Sequence, residues 1–193
     1  MHFSKEEQEE IRSKMYTEGI RLLKEYGVQR LTVDKLTKSC EIAKGSFYHF
    51  YDSKESYLLD LIQYAGIQTQ QMLQRSLRGR SQMTTHEFFE FYREYLYSDY
   101  DLLQFITIED FLWIQKHLIN ADHFKARNQI QKMDAWLSMM SDARTDLDKG
   151  MVVNLIKNIY GRREMKDNMV QESVDATIEF ILTHLEEYIT ENA

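Results

Sequence analysis

At 193 residues the chain can bury a substantial core, either as one large domain or as a small domain joined to a larger one. It contains no proline and only seven glycines, which argues against a β-sandwich and for helices, while 43% hydrophobic and 28% charged residues are ordinary for a folded soluble protein. A net charge of −7 argues against a general polyanion binder, and the single cysteine, Cys40, excludes a disulfide framework and suits a reducing compartment.

The first residues are acidic and lack the apolar stretch of a signal peptide, and no apolar run approaches the roughly 20 residues that span a bilayer. A cytoplasmic protein without a membrane partner is expected. Ser4 and Glu7 have capping-box spacing, and Ile11, Met15, Leu22, Leu23 and Tyr26 follow at helical intervals until Gly27 ends the helix. Thr32 is a good N-cap for a short helix over 33–39, with Asp34 near its positive end. A turn at Cys40-Glu41-Ile42 leads to a second short helix over 43–50, and Ser53 caps a third running from Lys54 to about Leu77. Two short helices joined by a three-residue turn and braced by longer neighbours make a helix-turn-helix.

Beyond it, Thr84 and Glu87 form another capping box, opening a helix over 87–97. Further amphipathic helices are predicted over about 99–117, 122–140, 146–160 and 168–190, giving about nine helices in an all-α fold. The Arg21–Lys54 stretch holds seven Lys/Arg against four acids, a local excess of +3 on an otherwise acidic chain, which hints at a phosphate-facing patch.

The segment 43–51 has two faces. At roughly 100° per residue, Phe47, Phe50 and Tyr51 fall on one side and Lys44, Gly45, Tyr48 and His49 on the other. The aromatic side suits packing; the opposite side suits a recognition helix, whose first residues enter a major groove while hydroxyls and cations reach flanking phosphates.

The stretch 31–58, LTVDKLTKSCEIAKGSFYHFYDSKESYL, closely resembles the N-terminal signature of the TetR family of transcriptional regulators, at Thr32, Ile42, Gly45, Ser46, Phe47, Tyr48, Tyr51, Ser53, Lys54 and Glu55. Glu41 departs from the glycine usual at that turn and demands a residue willing to take a strained geometry; Thr37 and Cys40 replace small alanines. The resemblance implies a helix-turn-helix DNA-binding domain over 1–53 and a helical ligand-binding and dimerisation domain over 54–193. It implies phosphate contacts from Thr32, Tyr48 and Lys54, with Lys44, Gly45, Ser46 and His49 against the groove of double-stranded operator DNA. It further implies a repressor released by a small molecule and acting as a homodimer.

The resemblance also makes the apolar 99–117 helix, read as buried all round, a wall of the ligand cavity. Met72, Tyr92, Tyr95, Phe105, Glu109, Trp113 and Trp136 are the candidate lining, with Gln104 and Thr107 beside them. The last two helices carry apolar stripes that could pair across a two-fold axis, with Leu155, Ile159, Val174, Ile178, Ile181 and Leu185 as candidate interface residues.

Enzymatic readings find no support. None of the six histidines has an acid three residues earlier, and there is no His-Glu-x-x-His, P-loop or Gly-x-Ser-x-Gly. No metal or cofactor is expected, and Cys40 beside Glu41 suits a buried small hydrophobe better than a redox sensor. A helical adaptor that has lost DNA binding, and an activator of the same family, remain as alternatives.

Overall fold

The structure, a computed structural model, describes residues 4–118, 126–164 and 169–190. Among these residues it is helical, with one isolated backbone bridge between Met83 and Met140 and no strand. The helices are α1 (Lys5–Arg30), α2 (Val33–Ser39), α3 (Lys44–Phe50), α4 (Lys54–Leu77), α5 (Thr85–Leu96), α6 (Ile108–His117), α7 (Ala126–Ser138), α8 (Lys149–Glu164) and α9 (Val174–Thr190), with 3₁₀ turns at Leu102–Phe105 and Gln171–Ser173. No described helix is long and apolar enough to cross a membrane.

Two compact units form. The first comprises Met1–Gln68 with Phe105–Ile119, the second Thr69–Gln104 with Asn120–Ala193. The grouping therefore differs from a simple cut at residue 53, because the early part of α4 and the segment around α6 belong with α1, α2 and α3.

In the first unit Met15, Leu22, Leu23, Leu31, Leu36, Phe47, Tyr57, Leu58 and Leu61 are buried around one core. α1 begins on the capping box seen in the sequence: Glu7 N donates to Ser4 Oγ at 3.2 Å and Ser4 N to a Glu7 carboxylate oxygen at 2.7 Å. Gly27 breaks its regular geometry with φ 71° and ψ 176°, and the chain resumes helical form through Arg30. Ser53 caps α4, its hydroxyl accepting from Ser56 N at 3.1 Å.

The continuous helix expected over 99–117 is not formed. A 3₁₀ turn ends at Phe105, and α6 starts afresh after Thr107, whose hydroxyl accepts from Asp110 N at 3.1 Å while Thr107 N donates back to Asp110. Nor is the segment buried all round, since Leu103 is 41% and Leu112 56% exposed. A Thr-x-x-Asp box is a start signal strong enough to interrupt an apolar run.

The second unit packs Phe88, Phe89, Phe91, Tyr92 and Leu96 of α5 with Met133, Val152, Ile159, Ile178, Leu182, Leu185 and Ile189. The segment before α5 is fastened by Met83 N donating to Met139 O at 2.9 Å and Ser141 N to Met83 O at 2.8 Å. Asp142 receives both the amide and the hydroxyl of Thr85. α5 and α9 are also joined by charge: Arg93 donates to Glu179 and Glu186, and His86 Nδ1 lies 2.6 Å from Glu186.

The hydrogen bond with the Glu186 carboxylate raises the His86 pKa above its ordinary value. A raised folded-state value stabilises below the unfolded pKa and is lost as pH rises through the folded one. The Tm deficit of His86→Ala relative to wild type is accordingly expected at mildly acidic pH and to close at alkaline pH, in thermal melts by circular dichroism. The imidazole is exposed, so the effect is small.

Candidate nucleic-acid interface

α3 has seven residues, too few to be stable alone, and its N-cap Ala43 supplies no side-chain hydrogen bond. Packing holds it. Phe47 is fully buried, with ring centroids 5.5 Å from Tyr51 and 5.9 Å from Tyr57; burying such a side chain contributes about 1.5–3 kcal/mol. Tyr51, just after the helix, donates to Asp60 Oδ2 at 2.6 Å, and Tyr16 of α1 donates to the same oxygen at 2.7 Å. Arg12 reaches it at 3.4 Å. One carboxylate on α4 thus fixes both α1 and the end of α3. Burial, with that hydrogen bond, pushes the Tyr51 hydroxyl well above the usual phenol range, so it stays a donor.

The turn between α2 and α3 takes the strained form expected of it. Glu41 has φ 57°, in the left-handed region, and its carboxylate accepts from Lys14 Nζ at 2.9 Å. Cys40 is buried beside it, and burial raises its thiol pKa to about 11, which keeps it protonated and unreactive.

With Phe47 and Tyr51 inward, the other face of α3 is outward: Lys44, Gly45 and His49 are exposed and Tyr48 is 51% exposed. A Cβ added at Gly45 would meet no protein atom, so the protein's own packing does not demand glycine there. Ser46 is half-buried at the margin of the two faces. Thr32 is exposed, and its hydroxyl oxygen accepts from Lys35 N at 3.2 Å, leaving the hydroxyl proton available to a further acceptor.

Three cations of this region already have partners. Lys44 Nζ lies 2.8 Å from Asp34 Oδ1. Lys35 donates to Arg30 O and sits 4.0 Å from the Tyr26 ring centroid. Lys54, read from sequence as a phosphate clamp, donates to Val28 O at 2.8 Å and Gln29 O at 3.2 Å, just past the Gly27 kink, above the Trp113 ring. Desolvation lowers its pKa. Two of its three donors are therefore engaged within the protein. None of these cross-element pairs has a local sequence signal, and Asp34 in particular reads from sequence only as an acid suited to a helix start.

The residues proposed to line a ligand cavity divide between the units. Met72, Tyr92, Tyr95 and Trp136 belong to the second unit's core, with Tyr92 ring centroids 5.5 Å from Trp136 and 6.1 Å from Tyr95. Tyr95 donates to the fully buried Asp101 at 3.4 Å, a polar element the sequence reading missed. Phe105, Glu109 and Trp113 belong to the first unit: Phe105 lies under Lys24, Glu109 is exposed, and Trp113 stacks on His117.

Of the residues expected at a two-fold interface, Ile159, Ile178 and Leu185 are buried in the subunit's own core, and Leu155, Val174 and Ile181 are half-buried. Among the described residues, the exposed large apolar side chains on α8 and α9 are Met151 and Phe180. Among the described residues, no group of three or more His, Cys, Asp or Glu is placed to hold a metal ion.

Residues 17–61 match the family model described as bacterial regulatory proteins, tetR family. No curated protein matches the chain. Among solved structures, the reduced form of Escherichia coli NemR aligns with a TM-score of 0.65 at 17% identity, over 95% of this chain and 100% of that one. The regulatory protein TetR from Rhodobacter sphaeroides aligns at 0.58 and 17% identity, over 89% and 97% of the two chains. A TetR family transcription regulator from Marinobacter aquaeolei VT8 aligns at 0.56 and 14% identity, over 98% and 100%. At these identities the structural likeness is one of fold. The tetR-family motif spans much of α1 through the early part of α4 and contains the helix-turn-helix, and the chain as a whole shares the fold of these regulators.

Proposed function

We propose that this protein is a transcriptional regulator of the tetR family, a cytoplasmic repressor that binds a two-fold symmetric operator as a homodimer and is released by a small molecule bound in the second unit. The observation that carries the reading is the outward face of α3. Lys44, Gly45, Tyr48 and His49 are turned to solvent on a short helix whose opposite side is fixed by Phe47 and by the Tyr51–Asp60 hydrogen bond. Tyr48 and the Thr32 hydroxyl supply phosphate contacts, and the start of α3 enters the major groove.

Pairing through the outer faces of α8 and α9, around Met151, Leu155, Phe180 and Ile181, would let two reading heads span half-sites about 34–36 Å apart. The aromatic cluster of Tyr92, Tyr95 and Trp136 supports an apolar ligand site with a few polar groups. Release requires only that the ligand prefer the conformation that cannot bind operator.

The test is selection of a site from a random duplex pool, then fluorescence anisotropy on that site over a salt series. Wild type is expected to bind it over random DNA with log K falling linearly in log salt. Tyr48→Ala is expected to weaken binding about 10- to 100-fold, the cost of one charge-assisted hydrogen bond and its packing, with Tm unchanged because the side chain is half outside the core. Equal binding to selected and random DNA, indifferent to Tyr48→Ala, would refute the operator reading. A tight ligand that left operator affinity unchanged would refute the release mechanism.

A further inference from the structure

The ion pair between Asp34 and Lys44 does little for stability. Both side chains are largely solvent-exposed, at 72% and 56%, and pairs of this kind contribute little to the folded state. Its position is what sets it apart. Asp34 is the second residue of α2 and Lys44 the first residue of α3, so the pair bridges the two short helices at the end of α3 that leads into the groove. An acid there costs affinity for every DNA sequence by repelling phosphate. Lys44 offsets part of that cost within the protein; the rest is offset only where the DNA itself offers the carboxylate a hydrogen-bond donor.

The spacing of the two groups matches one base-pair edge. In the major groove a G·C pair presents the guanine N7 and O6 acceptors next to the cytosine N4 amino donor. The Watson–Crick hydrogen bond keeps O6 and N4 about 2.9 Å apart. Lys44 Nζ and Asp34 Oδ1 are 2.8 Å apart, a donor beside an acceptor. The ammonium can therefore sit on guanine O6 and N7 while the carboxylate accepts from cytosine N4.

Other base pairs fit worse. A T·A pair also sets an acceptor beside a donor, but the thymine methyl then crowds the ammonium and the adenine N7 lone pair faces the carboxylate. The reversed C·G pair puts the carboxylate against two acceptors.

We propose that Asp34 and Lys44 act together as the reader of a single G·C base pair in each half-site, in one orientation only, with Asp34 as a specificity-determining residue. The proposal rests on the operator-binding reading above.

The test repeats the site selection with wild type, Asp34→Ala and Asp34→Asn, and then measures Kd on the four base-pair variants at the position that changes. Wild type is expected to favour one oriented G·C there by roughly 10-fold or more over the other three pairs. Asp34→Ala should lose most of that preference at this position alone, keep its preferences elsewhere, and bind random DNA more tightly because one negative charge is gone. Asp34→Asn, which can both accept and donate, should shift the preference toward adenine. Matched Tm values would show that the variants are folded. If Asp34→Ala tightened binding to every sequence by one common factor and left the selected site unchanged, Asp34 would be an electrostatic bystander and the proposal would fall. A wild type that selected no site would instead overturn the operator reading itself.

Discussion

Gly19→Ala should destabilise the first unit by about 3 kcal/mol, at the upper end of what overpacking a core costs. Gly19 is buried inside α1, where alanine is normally the better residue by about 1 kcal/mol. Here the sign reverses. A Cβ at this position would overlap the hydroxyl of Tyr57, and would lie 3.0 Å from its Cζ and 3.2 Å from Leu61 Cδ2. Tyr57 cannot easily move away. It is fully buried, packed against Phe47 and Tyr51, and its hydroxyl donates to Met15 O at 2.8 Å. The clash is with one hydroxyl above all, which yields a sharper test. Tyr57→Phe alone should cost about 1 kcal/mol for the buried hydrogen bond. The double variant Gly19→Ala/Tyr57→Phe should be more stable than Gly19→Ala alone, a non-additivity that urea denaturation measures directly. A Gly19→Ala protein as stable as wild type would show that α1 and α4 have slack the structure denies.

Nothing in the sequence marks Gly19, because its constraint comes from a residue 38 positions away. The same distinction divides most of what was legible from what was not. Features written within one turn could be read: the Ser4–Glu7 and Thr84–Glu87 boxes, the Thr32 cap, and the two faces of α3, each set by residues three or four apart. The Thr107–Asp110 box was equally local, yet the unbroken apolar run around it concealed the start of α6.

Partners brought together by folding left no trace. Asp34 reads as an ordinary first-turn acid until Lys44 is seen beside it, and Lys54 as a free cation until the carbonyls of Val28 and Gln29 are seen beneath it. The apolar stripes of α8 and α9 have a further ambiguity. Periodicity shows that Ile159, Ile178 and Leu185 seek burial but not whether their own subunit or a second copy provides it; their own core does.

Gly27 presents the opposite case to Gly19, since its constraint lies in the backbone as well as in a neighbour. Its φ of 71° with ψ of 176° falls where only glycine is at ease, so any L side chain costs about 1–3 kcal/mol there. The bend this allows presents Gln29 N to Asp110 Oδ1 at 3.2 Å, and Val28 O and Gln29 O to the Lys54 ammonium. A Cβ would also approach Asp110 Oδ2 to 2.8 Å. That carboxylate is buried and engaged in the capping box of α6, so displacing it loses about 1 kcal/mol for each hydrogen bond given up. Gly27→Ala should therefore cost about 3 kcal/mol in urea denaturation and, on the operator-binding reading proposed above, weaken DNA binding as Lys54 loses its seat. Removing the neighbour should not repair it. In Gly27→Ala/Asp110→Ala the contact is gone but the backbone strain persists and Gln29 N has lost its acceptor, so the double variant should be no more stable than Gly27→Ala. Recovery to the level of Asp110→Ala alone would place the whole cost in the side-chain contact and remove the backbone from the account.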